Sequence, residues 1–136
     1  MEEEFEVLII GGGPAGISAA IPLARAGFEV MVVERGEYAG AKNMFGGILF
    51  THQLEKLIPD CLDEAPLERA ITRRRFGVLA GDKETALDVK VTPWREKPYN
   101  HTMTALRVRF DRWYAEKAEA EGVNVIPGMN NSAPRW

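Results

Sequence analysis

Residues 5–34 contain the feature that most constrains the fold: two short apolar runs separated by a glycine-rich turn and an alanine-rich segment. The first run spans residues 7–10, the second spans residues 30–33, and Glu34 follows the second run directly. Short aliphatic and β-branched runs predict strands, whereas the longer segment between them predicts a helix. Because strands joined through a helix lie parallel, the chain should be an α/β protein that begins with a β-α-β unit.

The turn after the first predicted strand follows the pattern G-x-G-x-x-G, with its glycines at Gly11, Gly13 and Gly16. In a dinucleotide site the first glycine permits the tight turn, the second lets the backbone approach a pyrophosphate, and the third lets the helix lie against the sheet. Unpaired N–H groups and the helix dipole favour an anion at this helix N-terminus. The pattern therefore predicts a dinucleotide site, and the alternative is an ordinary glycine-rich connection in a parallel sheet.

The helix of this unit and the acid after it complete the pattern. Glu34 stands eighteen residues after Gly16, close to the spacing at which a carboxylate reaches the ribose hydroxyl groups of an adenosine. The helix should begin at Pro14, a favoured first-turn residue, and end before Gly27. Its sheet-facing residues should follow the i, i+3, i+4, i+7 spacing. They are Gly16, Ala19, Ala20 and Leu23.

Composition and charge exclude several classes of protein. The 136 residues include 17 basic and 20 acidic side chains, a net charge of -3, so no nucleic-acid partner is predicted. Cys61 is the only cysteine, which excludes an internal disulfide and any cysteine-ligated zinc or iron–sulfur site built from this chain alone. His52 and His101 are isolated in the sequence without a metal-ligand spacing, so no metal site is predicted.

No segment is expected to target the chain or to span a membrane. The N-terminus, Met1-Glu2-Glu3-Glu4, is acidic where a secretory signal needs positive charge. Residues 7–24 are uncharged and long enough for a membrane helix, but their four glycines and two prolines favour a strand and a turn. A cytoplasmic protein is expected, and peripheral contact with the inner membrane face is left open.

Residues 35–105 are expected to form a long insertion between the second and third strands. The insertion opens with a loop, residues 34–49, that is rich in glycine and small residues. Thr51 should cap a short helix, and residues 60–68, which are acidic and contain prolines, should form a connection.

The second half of the insertion predicts a hairpin, since two strand-like runs flank Gly81 and Asp82. Along the runs, alternate residues form two rows. The rows are Arg74, Phe76 and Val78 on one face, and Leu87, Val89 and Val91 on another. The arginine triplet at residues 73–75 could bind a phosphate or an acidic partner, although a solvated strand start is the favoured interpretation.

A second long helix is predicted for residues 106–118, and it leads through Gly122 into a third strand at residues 123–126. Its buried stripe is formed by Phe110, Trp113, Tyr114 and Ala118. Because a strand that follows a helix joins the same parallel sheet, the expected order is β-α-β, a long insertion with a β-hairpin, then α-β.

Several of these segments together resemble one family. They are residues 7–16, Glu34-Arg35-Gly36, Gly40-x-Lys42-Asn43, Gly46-Gly47-Ile48-Leu49 and Arg107-x-x-Phe110-Asp111-x-Trp113. In combination they resemble the FAD-dependent electron-transfer flavoprotein-quinone oxidoreductases, above all the FixC proteins of nitrogen-fixation electron transport. More distantly, they are similar to geranylgeranyl reductases and flavin hydroxylases. The resemblance covers roughly residues 5–128 and implies a Rossmann-like FAD-binding domain.

The resemblance implies FAD as the cofactor and assigns contacts to it. The pyrophosphate would meet the turn formed by Gly11, Gly12, Gly13, Pro14, Ala15 and Gly16. Glu34 would bind the adenosine ribose, and Arg107 would lie near the phosphates or the ribityl chain. The flavin portion would lie beside Arg35 and beside the loop that contains Asn43, Gly46 and Gly47. The flavin itself carries the redox chemistry, and no residue of the chain is assigned as an acid, base or nucleophile.

The resemblance also implies electron transfer between proteins. Enzymes of this kind accept electrons from an electron-transfer flavoprotein and pass them to a quinone or to a ferredoxin-like partner. Two alternatives are an FAD-dependent prenyl reductase or hydroxylase, and a non-catalytic truncated remnant.

The end of the chain departs from the family pattern. Family members continue into the rest of the FAD domain, a second Gly-Asp motif over the flavin and a substrate domain. After Gly128 the apolar pattern stops. Residues 1–128 are therefore expected to be the N-terminal part of an FAD-binding domain that is incomplete at its C-terminus, and residues 129–136 an irregular tail.

Overall fold

A computed structural model describes residues 4–129 of the chain. Residues 1–3 and all but the first residue of the predicted tail lie outside the described range. The strands are β1 (Val7–Ile10), β2 (Val30–Val33), β3 (Gly46–Phe50), β4 (Leu67–Ala70), β5 (Arg73–Ala80), β6 (Lys83–Lys90), β7 (Thr102–Leu106) and β8 (Asn124–Ile126). The helices are α1 (Pro14–Arg25), α2 (His52–Leu57), α3 (Cys61–Glu64) and α4 (Arg107–Ala120).

The first sheet is parallel and has the strand order β1-β2-β8. Val7 pairs with Val30, and Val32 pairs with Val125, so β2 lies between the other two strands. This arrangement confirms the predicted β-α-β unit, the late third strand and the α/β class. Within residues 4–129, β1 has a neighbouring strand on one side only.

Helix α1 begins at Pro14 and ends at Arg25, as predicted, and Gly27 follows it with a φ of 92°. A positive φ of this kind is favourable for glycine after a helix. The predicted apolar face is wrong in part, because Ala19 is exposed. α1 packs against both β2 and α4, so the buried stripe is rotated towards α4. The stripe comprises Ile17, Ala20 and Ile21.

The second sheet is antiparallel, with the order β3-β7-β4. It corrects two predictions. The end of the predicted loop at residues 34–49 belongs to β3, and the predicted connection at residues 60–68 contains α3 and the start of β4. Both strands pair with β7, which is more than thirty residues away along the chain from β4. This distant pairing partner, rather than the local sequence, makes the segments strands.

Strands β5 and β6 form the predicted hairpin, in which Phe76 pairs with Leu87 across the two strands. Opposite residues of an antiparallel pair share one face, so the two predicted rows lie together on one face, not on two. The arginine triplet is paired within the chain. Arg73 binds Asp88, Arg75 binds Glu84, and Arg74 donates to the Thr102 hydroxyl and lies over the Trp94 ring.

The main core lies between the parallel sheet and the two long helices. Phe110, Tyr114 and Ala118 of the predicted α4 stripe are buried, whereas Trp113 is only half-buried. The opposite face of the sheet leaves Leu8 and Ile10 60% and 71% exposed. Among the described residues, no helix combines the length and the hydropathy required to cross a bilayer.

His52 and His101, which the sequence separates, meet in the structure. Their rings stand edge to face with centroids 5.0 Å apart. The His101 Nδ1 lies 2.9 Å from Oε1 of Glu55, and the buried Thr51 hydroxyl donates to the same carboxylate over 2.5 Å. Thr51 precedes α2 as predicted, but its hydroxyl binds this side chain instead of capping the backbone. This cluster of Thr51, His52, Glu55 and His101 holds the loop that precedes β7 against α2.

Candidate cofactor site

The glycine turn joins β1 to α1 at the carboxyl edge of the parallel sheet. Gly11 has a φ of 107°, which only glycine adopts readily, and its N–H donates to the Val33 carbonyl oxygen over 2.8 Å. At Gly16 an added Cβ would lie 2.1 Å from the Gly11 carbonyl oxygen. Both glycines are therefore required by the fold itself.

Gly13 differs from its two neighbours in the motif. It immediately precedes α1 with an extended backbone, φ −78° and ψ 176°, and no side chain of the described residues caps the helix. An added Cβ would have Nη2 of Arg107, 3.9 Å away, as its nearest neighbour. The first N–H groups of a helix have no intrahelical acceptor. The turn therefore presents backbone donors and a guanidinium to the same open space.

Pro14 and Ala15 form the first turn of α1, immediately after Gly13. Pro14 has no N–H to leave unpaired, and its fixed φ favours a helix start. Ala15 is exposed, so its small side chain leaves the approach to this helix end open.

Glu34 connects the end of β2 to the glycine turn. Its Oε2 accepts a hydrogen bond of 2.9 Å from the Gly12 N–H, and its Oε1 accepts one of 2.7 Å from the Gly36 N–H. Each carboxylate oxygen can accept more than one hydrogen bond. Glu34 is therefore held in place by the backbone and can still accept hydrogen bonds from a ligand hydroxyl.

A groove of about 460 Å³ lies beyond the carboxyl ends of β1 and β2. Its lining residues are Ile10, Gly11, Val33, Glu34, Arg35, Lys42 and Met129. Open parallel sheets bind ligands at this edge. Arg35, which the resemblance assigns to the flavin side, lies in the same groove as Glu34, on the side predicted for the ribose.

Arg107 is the first residue of α4 and forms a double hydrogen bond with Asp111. Arg107 Nε lies 2.8 Å from Oδ1, and Nη2 lies 2.8 Å from Oδ2. The hydrogen bond to the carboxylate raises the pKa of Arg107 above its usual value. Asn43 Nδ2 donates to the same Oδ2 over 2.8 Å. Asp111 thus joins two residues that the sequence analysis assigns to the cofactor.

Asp111 itself was not predicted as a site residue, although it belongs to the motif that carries the resemblance. The available signal was its spacing from Arg107, since residues four apart on a helix lie on one face. That spacing did not reveal the third partner, Asn43, which lies 68 positions away in the sequence.

Gly46 and Gly47 lie apart from the groove. They begin β3 and pair with Leu106 and Ala105, directly before Arg107. Both line a separate cavity of about 320 Å³ that is formed by residues of β3, β7 and β4. The structure therefore brings together the glycine turn, Glu34, Arg35, Asn43 and Arg107. The two β3 glycines lie outside this group and are linked to it only by their pairing with the end of β7, which leads into Arg107.

The sequence model of a family described as "FAD dependent oxidoreductase" matches residues 6–126. The chain belongs to this family. The chain is 41% identical over 135 residues to the probable electron transfer flavoprotein-quinone oxidoreductase YdiS of Escherichia coli. It is 38% identical over 126 residues to the protein FixC of Azorhizobium caulinodans. The alignments cover 97% and 93% of this chain.

The chain spans about 30% of the length of these relatives. Among solved structures, it is similar to a geranylgeranyl bacteriochlorophyll reductase-like protein from Thermoplasma acidophilum, with a TM-score of 0.68 and 23% identity. That match covers 91% of this chain and 30% of the other. At this identity the likeness shows a common fold alone, and it confirms the predicted Rossmann-like class.

FAD is the cofactor of the family, which confirms the predicted cofactor, and the residues of the site fit it. The open space at Gly13, the uncapped helix start and the nearby Arg107 guanidinium suit a pyrophosphate. The fixed Glu34 carboxylate suits the hydroxyl groups of a ribose. Within residues 4–129, no group of three histidine, cysteine or acidic side chains has a metal-binding arrangement.

Proposed function

We propose that this chain forms the adenosine-diphosphate half of the FAD site in an oxidoreductase of the electron-transfer flavoprotein-quinone oxidoreductase type, similar to FixC. The observation that supports it most is the cradle at Gly13, which has open space at the start of α1 and Arg107 beside it. Glu34, which is held by hydrogen bonds from Gly12 and Gly36, forms the boundary of this cradle on the side proposed for the adenosine. The names of the relatives support the reaction type.

Each part of the cradle has a distinct binding role in this proposal. The backbone N–H groups of Gly13 and of residues 15–16, together with the Arg107 guanidinium, bind the two phosphates. Glu34 accepts hydrogen bonds from the adenosine ribose and disfavours a 2′-phosphate, since it carries the same charge. Arg35 and Lys42 line the same groove and add positive charge beside the dianionic pyrophosphate.

Asn43, Gly46 and Gly47 lie on the segment that leads from this groove to β3. In the proposal this segment faces the flavin half of the cofactor, because glycine backbone allows close approach of a flat ring. When bound, FAD supplies the one- and two-electron chemistry. The residues of the chain hold and orient it.

The proposed electron donor is an electron-transfer flavoprotein, and the proposed acceptor is a quinone, as in the name of the YdiS relative. A ferredoxin-like acceptor is the alternative that the sequence resemblance implies. The one thiol of the chain does not suggest another chemistry. Burial raises the pKa of Cys61 to about 11, which keeps the thiol protonated and unreactive at neutral pH.

The experiment has a binding step and a reduction step. Purified chain is titrated with FAD and, separately, with ADP, and Gly13→Val serves as the matched control. We expect both ligands to bind the wild type and neither to bind the variant. The FAD-loaded chain is then mixed anaerobically with reduced electron-transfer flavoprotein, and the bleaching of the flavin absorbance is followed.

The outcomes separate the two parts of the proposal. Failure of the wild type to bind either ligand would overturn the assignment of the cofactor site. Binding without bleaching by the reduced flavoprotein, but with bleaching by NADPH, would replace the electron-transfer assignment by a hydroxylase-type reaction.

A further inference from the structure

The carboxylate of Asp111 is fully buried, with 0% of its side chain exposed, whereas its partner Arg107 is 35% exposed. Both oxygens accept from Arg107, and Oδ2 also accepts from Asn43. A buried carboxylate is costly unless it is paired and hydrogen-bonded. Asp111 meets this condition only with donors that come from the two sides of the candidate site, so its burial depends on their position.

The chain makes room for this arrangement at Gly40. Gly40 has a φ of 92°, and an added Cβ would lie 2.9 Å from Cβ of Asp111 and 3.1 Å from the Arg107 carbonyl oxygen. The loop that contains Gly40 and Asn43 therefore lies directly on the first turn of α4, where it covers Asp111. Asn43 is held on this loop by its N–H, which donates to the Gly40 carbonyl oxygen over 2.8 Å.

The orientation of Arg107 follows from the same contacts. A guanidinium that makes two parallel hydrogen bonds to a carboxylate is fixed in its plane. With Nε and Nη2 on Asp111, the guanidinium is held at the glycine turn, where Nη2 is 3.9 Å from the Cβ position of Gly13. Its remaining donors are free of Asp111 and available to an anion in the cradle.

We infer that Asp111 is a positioning residue for the cofactor: it fixes Arg107 against the pyrophosphate cradle and locks the Asn43 loop to the same point. Asp111 does not contact the cofactor in this assignment and acts through its two partners. The inference rests on the proposed function, because it takes the Gly13 cradle as the pyrophosphate site.

The test is a mutant cycle read out by FAD and ADP dissociation constants. Asp111→Asn keeps the shape of the side chain but replaces one acceptor oxygen by an NH₂ group, which faces a donor. As a single substitution, Asp111→Asn should weaken FAD binding about tenfold, the loss typical of one hydrogen bond to a charged group. In the Arg107→Ala/Asn43→Ala background, the same change should alter the affinity less than about twofold.

A matched control exists on the same helix, because Arg112 and Glu116 also form a pair four residues apart, at 3.4 Å and away from the cradle. Glu116→Gln should leave FAD affinity unchanged. A further measurement uses only the wild type. NMR gives the rate at which the Nε–H proton of each arginine side chain exchanges with water. The Arg107 proton should exchange more slowly than that of Arg112, and this result does not require any variant to fold.

The outcomes distinguish the inference from the proposed function. If the wild type binds neither FAD nor ADP, the proposed function fails, and the inference fails with it. If the wild type binds FAD and the Asp111→Asn variant binds it equally well, the inference alone is overturned. The same holds if Asp111→Asn weakens FAD binding as much in the Arg107→Ala/Asn43→Ala background as it does without those two changes. Exchange at Arg107 as fast as at Arg112 also overturns it.

Discussion

Glu34 at the end of β2 accepts a hydrogen bond of 2.9 Å from the N–H of Gly12 in the glycine turn. A second hydrogen bond, from Gly36, holds the other carboxylate oxygen. The backbone of the glycine turn therefore holds the Glu34 carboxylate in position before a ligand binds. Preorganisation of this kind lowers the free energy that binding must spend on ordering a side chain.

The first prediction concerns this acid. Glu34→Ala should weaken FAD binding by about 1.5 to 3 kcal/mol, the range for a hydrogen bond to a charged group. It should also reduce the preference for ADP over 2′-phospho-ADP, since the repelling charge is gone. Isothermal titration gives both values. Glu37→Ala, at an exposed position three residues later, is the control, and equal FAD affinity of wild type and Glu34→Ala would contradict the ribose assignment.

The second prediction separates two glycines of one motif. Gly13→Val should abolish retention of FAD through dialysis and leave the melting temperature nearly unchanged, because its backbone is extended and the nearest atom to an added Cβ is 3.9 Å away. Gly16→Ala should instead destabilise the fold by about 1 to 3 kcal/mol, because its Cβ would lie 2.1 Å from a carbonyl oxygen. A Gly13→Val protein that keeps its flavin would refute the cradle.

The third prediction is a pH dependence at Glu55. Burial raises the pKa of Glu55, but hydrogen bonds from Thr51 and His101 outweigh it, and the net pKa lies below the usual 4.5. A carboxylate whose pKa is lowered by folding stabilises the folded state at pH values above its pKa in the unfolded chain. This contribution is lost as the pH falls through its pKa in the folded chain. Glu55→Gln should thus cost about 1.5 kcal/mol at pH 7, and the difference from the wild type should shrink below pH 4.5.

Urea denaturation at several pH values measures this difference. Glu119→Gln, at an exposed position on α4, is the control and should show no such trend. A Glu55→Gln deficit that stays constant from pH 7 to acid would show that the carboxylate charge does not stabilise the cluster.

The fourth prediction concerns the open face of the parallel sheet. Parallel sheets are usually covered on both faces, and exposed apolar patches promote association. Leu8→Lys should therefore lower the binding of an apolar dye and the self-association of the chain, with little change in melting temperature, because Leu8 is already largely exposed. Ile9→Lys, on the inner face beside Gly16, should destabilise the fold. Light scattering and dye fluorescence measure the outcome, and an unchanged signal for Leu8→Lys would show that this face is covered.

The sequence alone determined the parts of this protein whose structure depends on near neighbours. The glycine turn, the start of α1 at Pro14, the β-α-β unit and the hairpin at Gly81 follow from local conformational preference and from short-range periodicity. The same locality explains why a dinucleotide site could be inferred, since the turn and Glu34 belong to one contiguous segment, whereas FAD was implied by the family resemblance.

Only the tertiary structure decided the features that depend on distant partners. β3 and β4 are strands because β7 pairs with both, and Ala19 is exposed because α1 packs towards α4. Asp111 belongs to the site because the loop that carries Asn43 folds back on α4 across 68 positions of sequence. Contacts of that kind are set by packing and buried hydrogen bonds rather than by residue spacing, so no local pattern could have shown that one buried carboxylate holds both Arg107 and Asn43.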